Sequence, residues 1–306
     1  MKKIFVLALA AAAMVSCSNN DLLEVNQEAI DFGGPFVENA TRADDNTYGT
    51  VQLDSFKVYG TVQGSGAGVV NIYNGAEVTR GTKTYGEAWA CTVTQYWIEN
   101  ATYNFAAVAD ANAVGQDATT KMPTTLTYNT AGQKDLIYAS ATATGKASGN
   151  ELVKFTFNHL LSKAFFTVKS NTQDGYYHNV KDITVSNYET GVYTIAAGTW
   201  APGTAGDISF GNVVEVTSAD TDGKTNATQM LLIPTATDFN VTFTVEIYKD
   251  STLIGTKDYT KTVTQDLVKG NAYNFTLALT VGEEIQFTVT GAPAWGDTVD
   301  SPITLS

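Results

Sequence analysis

The sequence predicts an all-β protein. Short runs of β-branched and aromatic residues recur along the 306-residue chain. Beyond the first 17 residues, no segment has a sustained apolar period of about 3.6 residues, which a helix would need. Clusters of Gly, Asn, Asp, Ser and Thr separate the runs, as turns between strands require. Regularly spaced strands with intervening turns favour a sandwich or a barrel of β-sheets.

The first 17 residues have the organisation of a lipoprotein signal peptide. Two lysines precede an apolar run, and small residues then lead to Cys17. The run is shorter than the ~18 apolar residues that a membrane-spanning helix needs, and no later segment of the sequence reaches that length. Cleavage before Cys17 would leave this cysteine as the lipid-bearing N-terminus of an exported protein that is attached to a membrane surface.

Charge and cysteine content exclude several classes of protein. The net charge is −13 and the basic residues are not clustered, so nucleic acid is not a predicted partner. Cys91 is the only cysteine besides Cys17, so a hydrophobic core rather than an internal disulfide must stabilise the fold. The 289 residues after Cys17 (306 minus 17) are enough for two domains of ordinary size.

Residues 18–46 are rich in Asn, Asp and Glu but also contain apolar side chains. Ile30, Phe32 and Phe36 fall on alternate positions, so an extended segment would present them on one face. We interpret residues 28–38 as a detachable edge strand, in which Pro35 is tolerated. A solvated tether with apolar residues at chance positions is the alternative interpretation.

The C-terminus has a similar pattern. Val299, Ile303 and Leu305 share one parity, and Pro302 favours an edge position. Such an extension could add a strand to the sheet of another subunit. It could equally be the last strand of its own domain, and the sequence favours neither interpretation.

The sequence contains no motif that indicates an enzyme, a cofactor site or a metal site. Its two histidines, His159 and His178, fall on an apolar strand face and in an expected loop. Neither accompanies a nucleophile motif, a Walker loop or a dinucleotide fingerprint. A secreted hydrolase would need two close carboxylates in a cleft. A surface glycan-binding protein would need an exposed aromatic platform, for which Trp89, Trp97 and Trp200 are the candidates.

Several short motifs, in order along nearly the whole chain, resemble the fimbrillin family of type V pilins and their minor-subunit relatives. They comprise the lipoprotein cysteine, an arginine before an acidic pair, a pair of strands and three later motifs. These are Cys17, Arg42 in NATRADD, FTFNHLLSKAFFTV, LLIP at 231–234, KGNAYNFTLAL at 269–279 and VTGAPAW around Trp295.

The resemblance implies two tandem transthyretin-like β-sandwich domains and a structural, non-enzymatic role. It implies that an arginine-specific protease cuts between Arg42 and Ala43, which removes the strand within residues 18–42 and opens a groove. A strand from another pilin subunit, identical or paralogous, then fills that groove. The protein would be a lipoprotein on the surface of the outer membrane before processing and part of an extracellular fimbrium afterwards. A host or glycan receptor would be the target of adhesion.

We therefore predict four segments. They are the signal peptide (1–17), a propeptide with the detachable strand (18–42), an N-terminal domain (43–172) and a C-terminal domain (173–306). The domain boundary follows from the turn-forming NTQDG, which comes directly after a pair of strand-like runs. Arg80 is the only other arginine and thus a second possible cleavage site. The alternative function is a surface glycan-binding lipoprotein that stays anchored to the membrane.

Overall fold

The fold is all-β, as the sequence predicts. The computed structural model describes residues 28–37, 47–48, 51–83, 87–171, 174–211, 213–226, 228–235, 238–280, 286–292 and 303–304. Their strands form five sheets, and a single 3₁₀ turn, Thr130–Gly132, lies among these residues. In the same part of the chain, no helix has the length and apolarity needed to cross a bilayer.

The first twelve strands contain a sheet that returns to its starting segment. The strands are β1 (Phe32–Gly33), β2 (Phe36–Val37), β3 (Thr47–Tyr48), β4 (Val51–Gln52), β5 (Ser55–Gln63), β6 (Val70–Thr79), β7 (Ala88–Cys91), β8 (Thr102–Ala109), β9 (Ala113–Gln116), β10 (Pro123–Asn129), β11 (Ile137–Thr144) and β12 (Thr156–His159). Eight of them form one sheet in the order β1-β7-β6-β5-β8-β11-β12-β2. Because β1 and β2 belong to one short segment, that segment joins the two ends of the sheet into a ring.

The remaining strands, apart from β15 (Thr190–Thr194) and β16 (Thr199–Pro202), form two further sheets. The strands of these sheets are β13 (Ser162–Asn171), β14 (Tyr176–Tyr188), β17 (Ala205–Ser209), β18 (Val214–Thr217), β19 (Lys224–Thr225), β20 (Met230–Leu232), β21 (Phe239–Lys249), β22 (Thr252–Val263), β23 (Ala272–Thr280), β24 (Gln286–Ala292) and β25 (Ile303–Thr304). One sheet contains β13, β19, β20, β23, β24 and β25, and the other contains β14, β17, β18, β21 and β22.

The chain passes from the first sheet to the later ones between His159 and Ser162. β13 pairs antiparallel with β20 and parallel with β23, so Ser162–Asn171 belongs with the later strands. This passage lies upstream of the predicted boundary at residue 172. NTQDG is the connection from β13 to β14, whereas the passage itself is made by Leu160 and Leu161, which give no turn signal. We call the parts before and after this passage the first and second units.

Each unit has its own hydrophobic core. Strand residues alternate between buried and exposed, as in Phe239–Lys249, so each sheet has one apolar face. The core of the first unit includes Ile30, Phe56, Trp89, Phe105 and Phe157, and that of the second includes Phe166, Phe210, Phe243, Phe275 and Leu277. The cores are separate because no residue of one cluster is shared with the other.

A four-stranded sheet joins the two units. Its order is β16-β15-β10-β9, with the hairpin β9-β10 from the first unit and β15-β16 from the second. β10 and β15 pair over five residue pairs. Residues from both units, including Leu126, Leu160, Leu161 and Ile233, form a third buried cluster. Main-chain hydrogen bonds and apolar packing therefore both fix the junction.

Gln133 provides a test of this junction. Its Nε2 donates to the Leu231 carbonyl at 3.2 Å, and its Oε1 accepts from the Leu231 amide at 2.7 Å. Gln133→Ala leaves both groups unpaired in a partly buried site, so we expect the free energy of unfolding in urea to fall by about 1–3 kcal/mol. Gln63→Ala is the control, since exposed Gln63 makes only a local bond to Ala67. Equal effects of the two variants would contradict the role of Gln133.

Candidate functional site

Residues 28–37, here called the closing strand, pair on one side with the edge at β7. β1 runs antiparallel to β7, with Phe32 opposite Trp89. The Ile30 amide donates to the Gln95 carbonyl at 2.8 Å, which extends the pairing beyond β7. The closing strand thus satisfies backbone groups that would otherwise form a free sheet edge.

On its other side the closing strand pairs with the edge at β12. The Val153 amide donates to the Asp31 carbonyl at 2.8 Å, and the Gly33 amide donates to the Val153 carbonyl at 2.9 Å. β2 then runs parallel to β12, with Phe36 opposite Thr156. The segment is therefore a central strand of a closed sheet, held by an antiparallel ladder on one side and a parallel ladder on the other.

Three apolar side chains of the closing strand enter the core of the first unit. Ile30, Phe32 and Val37 are 2%, 0% and 0% exposed. The Phe32 ring centroid lies 5.4 Å from that of Tyr73 and 6.0 Å from that of Phe105, both edge-on. Burial of each side chain contributes roughly 1.5–3 kcal/mol. These residues are part of the folded core, not of a solvated tether.

The apolar alternation of the closing strand is interrupted. Gly34 and Pro35 separate β1 from β2, because proline cannot continue the donor pattern of the ladder. Ile30 and Phe32 are buried before the interruption, and Val37, which has the opposite parity, is buried after it. Val37 is therefore a buried anchor of β2, and Phe36 is opposite Thr156 in the pairing of that strand with β12.

A polar contact fixes the start of the closing strand. The backbone N and Nδ2 of Asn150 donate to Glu28 Oε2 at 2.9 and 2.8 Å. These hydrogen bonds from Asn150 lower the pKa of Glu28, and the nearby charge of Lys146 adds to the effect. The contact favours one register of the segment. Sequence reasoning missed Asn150, because a loop asparagine carries no periodic signal.

The three tryptophans that the structure describes are engaged in packing within the protein. Trp89 and Trp97 are buried in the core of the first unit. Trp200 packs at the junction against Tyr193, and its indole donates to the Leu160 carbonyl at 2.8 Å. These three residues do not form an exposed aromatic platform, because Trp89 and Trp97 are buried and Trp200 packs, half-buried, at the junction.

Both histidines are buried. His159 Nδ1 lies 2.6 Å from Asp135 Oδ2 at the end of β12. Burial raises the pKa of Asp135, and the contact with His159 opposes this shift. His178 lies in β14 rather than in a loop, and burial lowers its pKa. Within the described ranges, no three side chains of the types that bind metals form a group.

The remaining predicted site residues fall at the ends of the chain. Outside the described residues lie Cys17, Arg42, Ala43, Val299 and Leu305. Ile303 lies in β25, where it is opposite Val289 of β24 in an antiparallel pair. The C-terminal segment thus occupies an edge position in the sheet of its own unit.

A match over most of the sequence identifies the family to which the chain belongs. The profile of the fimbrillin-like family matches residues 41–293, which is 253 residues (293 minus 41 plus 1) of 306. The chain belongs to the fimbrillin-like family. Fimbrillin-like proteins are subunits of cell-surface fimbriae, so membership supports a role as a pilus subunit at the cell surface. No curated protein is a significant match to the chain.

Solved structures have a similar fold. A fimbrial protein from Bacteroides vulgatus is 16% identical with a TM-score of 0.58, and the match covers 86% of this chain and 99% of that one. A candidate cell adhesion protein from Bacteroides uniformis is 18% identical with a TM-score of 0.56, covering 87% and 98%. Another from Bacteroides ovatus is 16% identical with a TM-score of 0.51, covering 92% and 99%. At these low identities, the comparisons show that the chain shares its fold with these proteins.

Truncation of Phe32 tests the contribution of the closing strand to the core. We expect Phe32→Ala to lower the free energy of unfolding of the first unit in the uncut chain by about 3–5 kcal/mol, because it leaves a cavity among aromatic rings. Urea denaturation followed by fluorescence would measure this. The neighbouring Asp31→Ala is the control, since its side chain is exposed and the change should stay within about 0.5 kcal/mol. Equal stability of the two variants would show that the segment is not part of the core.

Proposed function

We propose that the protein is a structural subunit of a cell-surface fimbria, exported as a lipoprotein and assembled after removal of its closing strand. The position of residues 28–37 is the observation that carries this proposal. They complete the sheet of the first unit, yet in sequence they precede Arg42, the proposed cleavage site. A cut after Arg42 would leave the strand attached only by hydrogen bonds and packing, and would separate Cys17 with its lipid from the rest of the chain.

Arg42 is preferred over Arg80 because the fold restrains the second arginine. The Arg80 amide donates to the Asp54 carbonyl at 2.8 Å, and the Lys83 amide donates to the Arg80 carbonyl at 3.1 Å. Proteases act on accessible, extended backbone, and these hydrogen bonds hold Arg80 in a turn. With Arg80 restrained in this way, processing would be directed to Arg42, at the end of the propeptide.

Departure of the closing strand would create a binding groove. The edges at β7 and β12 would lose their pairing partner, and the aromatic site of Phe32 would become open. A row of unpaired backbone groups beside apolar pockets binds an extended strand readily. A groove that stays filled until processing would prevent assembly before export, and the subunits would then join into an adhesive fibre.

The C-terminal segment is the proposed donor strand for a neighbouring subunit. Its apolar anchors would be Val299, Ile303 and Leu305. Among the described residues, β25 pairs with β24 at two positions, Thr288 with Thr304 and Val289 with Ile303, and detachment of the segment would break this pairing. The partners are thus other pilin subunits and, before assembly, an arginine-specific protease, and the role is structural rather than catalytic.

Controlled proteolysis tests the processing step. The chain from Ser18 onward would be treated with an arginine-specific protease and analysed by native mass spectrometry. We expect one cut, after Arg42, followed by loss of residues 18–42. Arg42→Lys is the control and should stay intact. A first cut at Arg80, or a cut chain that never releases residues 18–42, would contradict the proposal.

A pair of substitutions tests donation by the C-terminus. Ile303→Asp places a carboxylate in a pocket of the neighbouring subunit, so fibres that contain the variant should be shorter, because burial of an unpaired charge is costly. Thr304→Asp is the control, because adjacent strand residues face opposite sides. Electron microscopy of fimbriae isolated from cells would measure fibre length. Equal lengths for both variants would count against C-terminal donation.

A further inference from the structure

The groove, defined as the space that the closing strand occupies between β7 and β12, selects side chains at two adjacent positions. Phe32 is enclosed by aromatic rings, including Phe155, which stacks on it at 6.0 Å. At the next position, a Cβ added to Gly33 would lie 3.2 Å from Lys154 Cγ and 3.5 Å from Leu152 Cβ. The site therefore fits an aromatic residue followed by glycine. A Cβ at the second position would require the Lys154 side chain to shift by a few tenths of an ångström, and a β-branched side chain would require a larger shift.

The wall of the groove contains two buried hydrogen-bond donors that the closing strand leaves unpaired. Tyr73 and Trp89 are 1% and 2% exposed, and their Oη and Nε1 atoms have no partner among the described residues. The Tyr73 ring lies beside the closing strand, edge-on to Phe32 with the ring centroids 5.4 Å apart, and burial raises the pKa of its hydroxyl. Trp89 is opposite Phe32 in the ladder. A strand that brought acceptor oxygens to these donors would bind better than the closing strand.

The chain itself offers no free copy of the closing strand's pattern. The pattern is apolar–x–aromatic–glycine, where x is any residue, and it occurs at 30–33 and again at 208–211. The second copy is not free, because Ile208 and Phe210 are buried in the second core. In residues 293–306 the aromatic–glycine pair occurs once, at 295–296, and Pro293 takes the place of Ile30. Proline has no N–H group, so it cannot make the bond that the Ile30 amide donates to Gln95.

We propose that a strand from a different kind of subunit fills the groove, keeps the apolar–x–aromatic–glycine pattern, and brings Ser, Thr, Asn or Gln oxygens to Tyr73 and Trp89. This inference rests on the proposed function and specifies its partner. The chain accepts a strand from one subunit type and donates its own C-terminus to another. Copies of this chain alone do not form a fibre.

Peptide capture tests this selectivity. The chain cut after Arg42 and freed of residues 18–42 would be titrated with biotinylated peptides. We expect the peptide of residues 26–38 to bind at least about tenfold more tightly than the peptide of residues 291–306, and Gly33→Val in the first peptide to weaken binding by about tenfold. Equal binding of the C-terminal peptide, or no effect of Gly33→Val, would overturn the proposal.

The unpaired donors have a separate test. Tyr73→Phe in the receptor removes the buried hydroxyl, so the 26–38 peptide should bind about five to ten times more tightly. Tyr128→Phe is the control, because the Tyr128 hydroxyl donates to the Lys134 carbonyl at 2.6 Å and lies outside the groove. Weaker or unchanged binding to Tyr73→Phe would overturn the role of this donor.

The two proposals can fail separately. Absence of a cut after Arg42 would overturn the processing step. A recognition sequence for another site-specific protease, placed at residues 39–45, would then open the same groove. The peptide comparison in that chain would still decide the partner.

Discussion

The structure of the first unit depends on one segment that pairs along both of its sides. Residues 28–37 make an antiparallel ladder with β7 and a parallel ladder with β12, and they complete a sheet whose other strands form an incomplete ring. The aromatic core around Phe32 is complete only when this segment is present. Because this central strand lies near the N-terminal end of the sequence, the proposed single cut would separate it from the rest of the fold, which links the fold to the proposed assembly.

The junction connects the groove to the rest of the subunit. β12 forms one wall of the groove and leads through Leu160 and Leu161 into β13, which is a central strand of the second unit. The sheet formed by β9, β10, β15 and β16 braces the same junction. A strand bound in the groove would therefore be held by a short, hydrogen-bonded path to β24 and the C-terminal edge. Such a connection would suit the proposed role, in which the subunit transmits tension along a fibre.

The sequence predicts the features that depend on local pattern. Alternating β-branched and aromatic residues identify the strands, and the parity of Ile30 and Phe32 indicates an extended segment there. The change of parity at Pro35, after which Val37 is buried, depends on how the chain crosses from one edge to the other. The passage at Leu160 was missed because buried apolar residues give no turn signal. Asn150 and Tyr73 act through contacts distant in sequence, which local patterns do not reveal.

Hydrogen exchange at two backbone amides tests the central claim, that residues 28–37 are a removable central strand. The Trp97 amide donates to the Glu28 carbonyl at 2.9 Å, and the Val153 amide donates to the Asp31 carbonyl at 2.8 Å, from opposite walls of the groove. In the chain cut after Arg42 and freed of residues 18–42, both amides should exchange more than about a hundredfold faster than in the uncut chain, while amides of β21 stay unchanged. Unchanged protection of both amides would contradict the account.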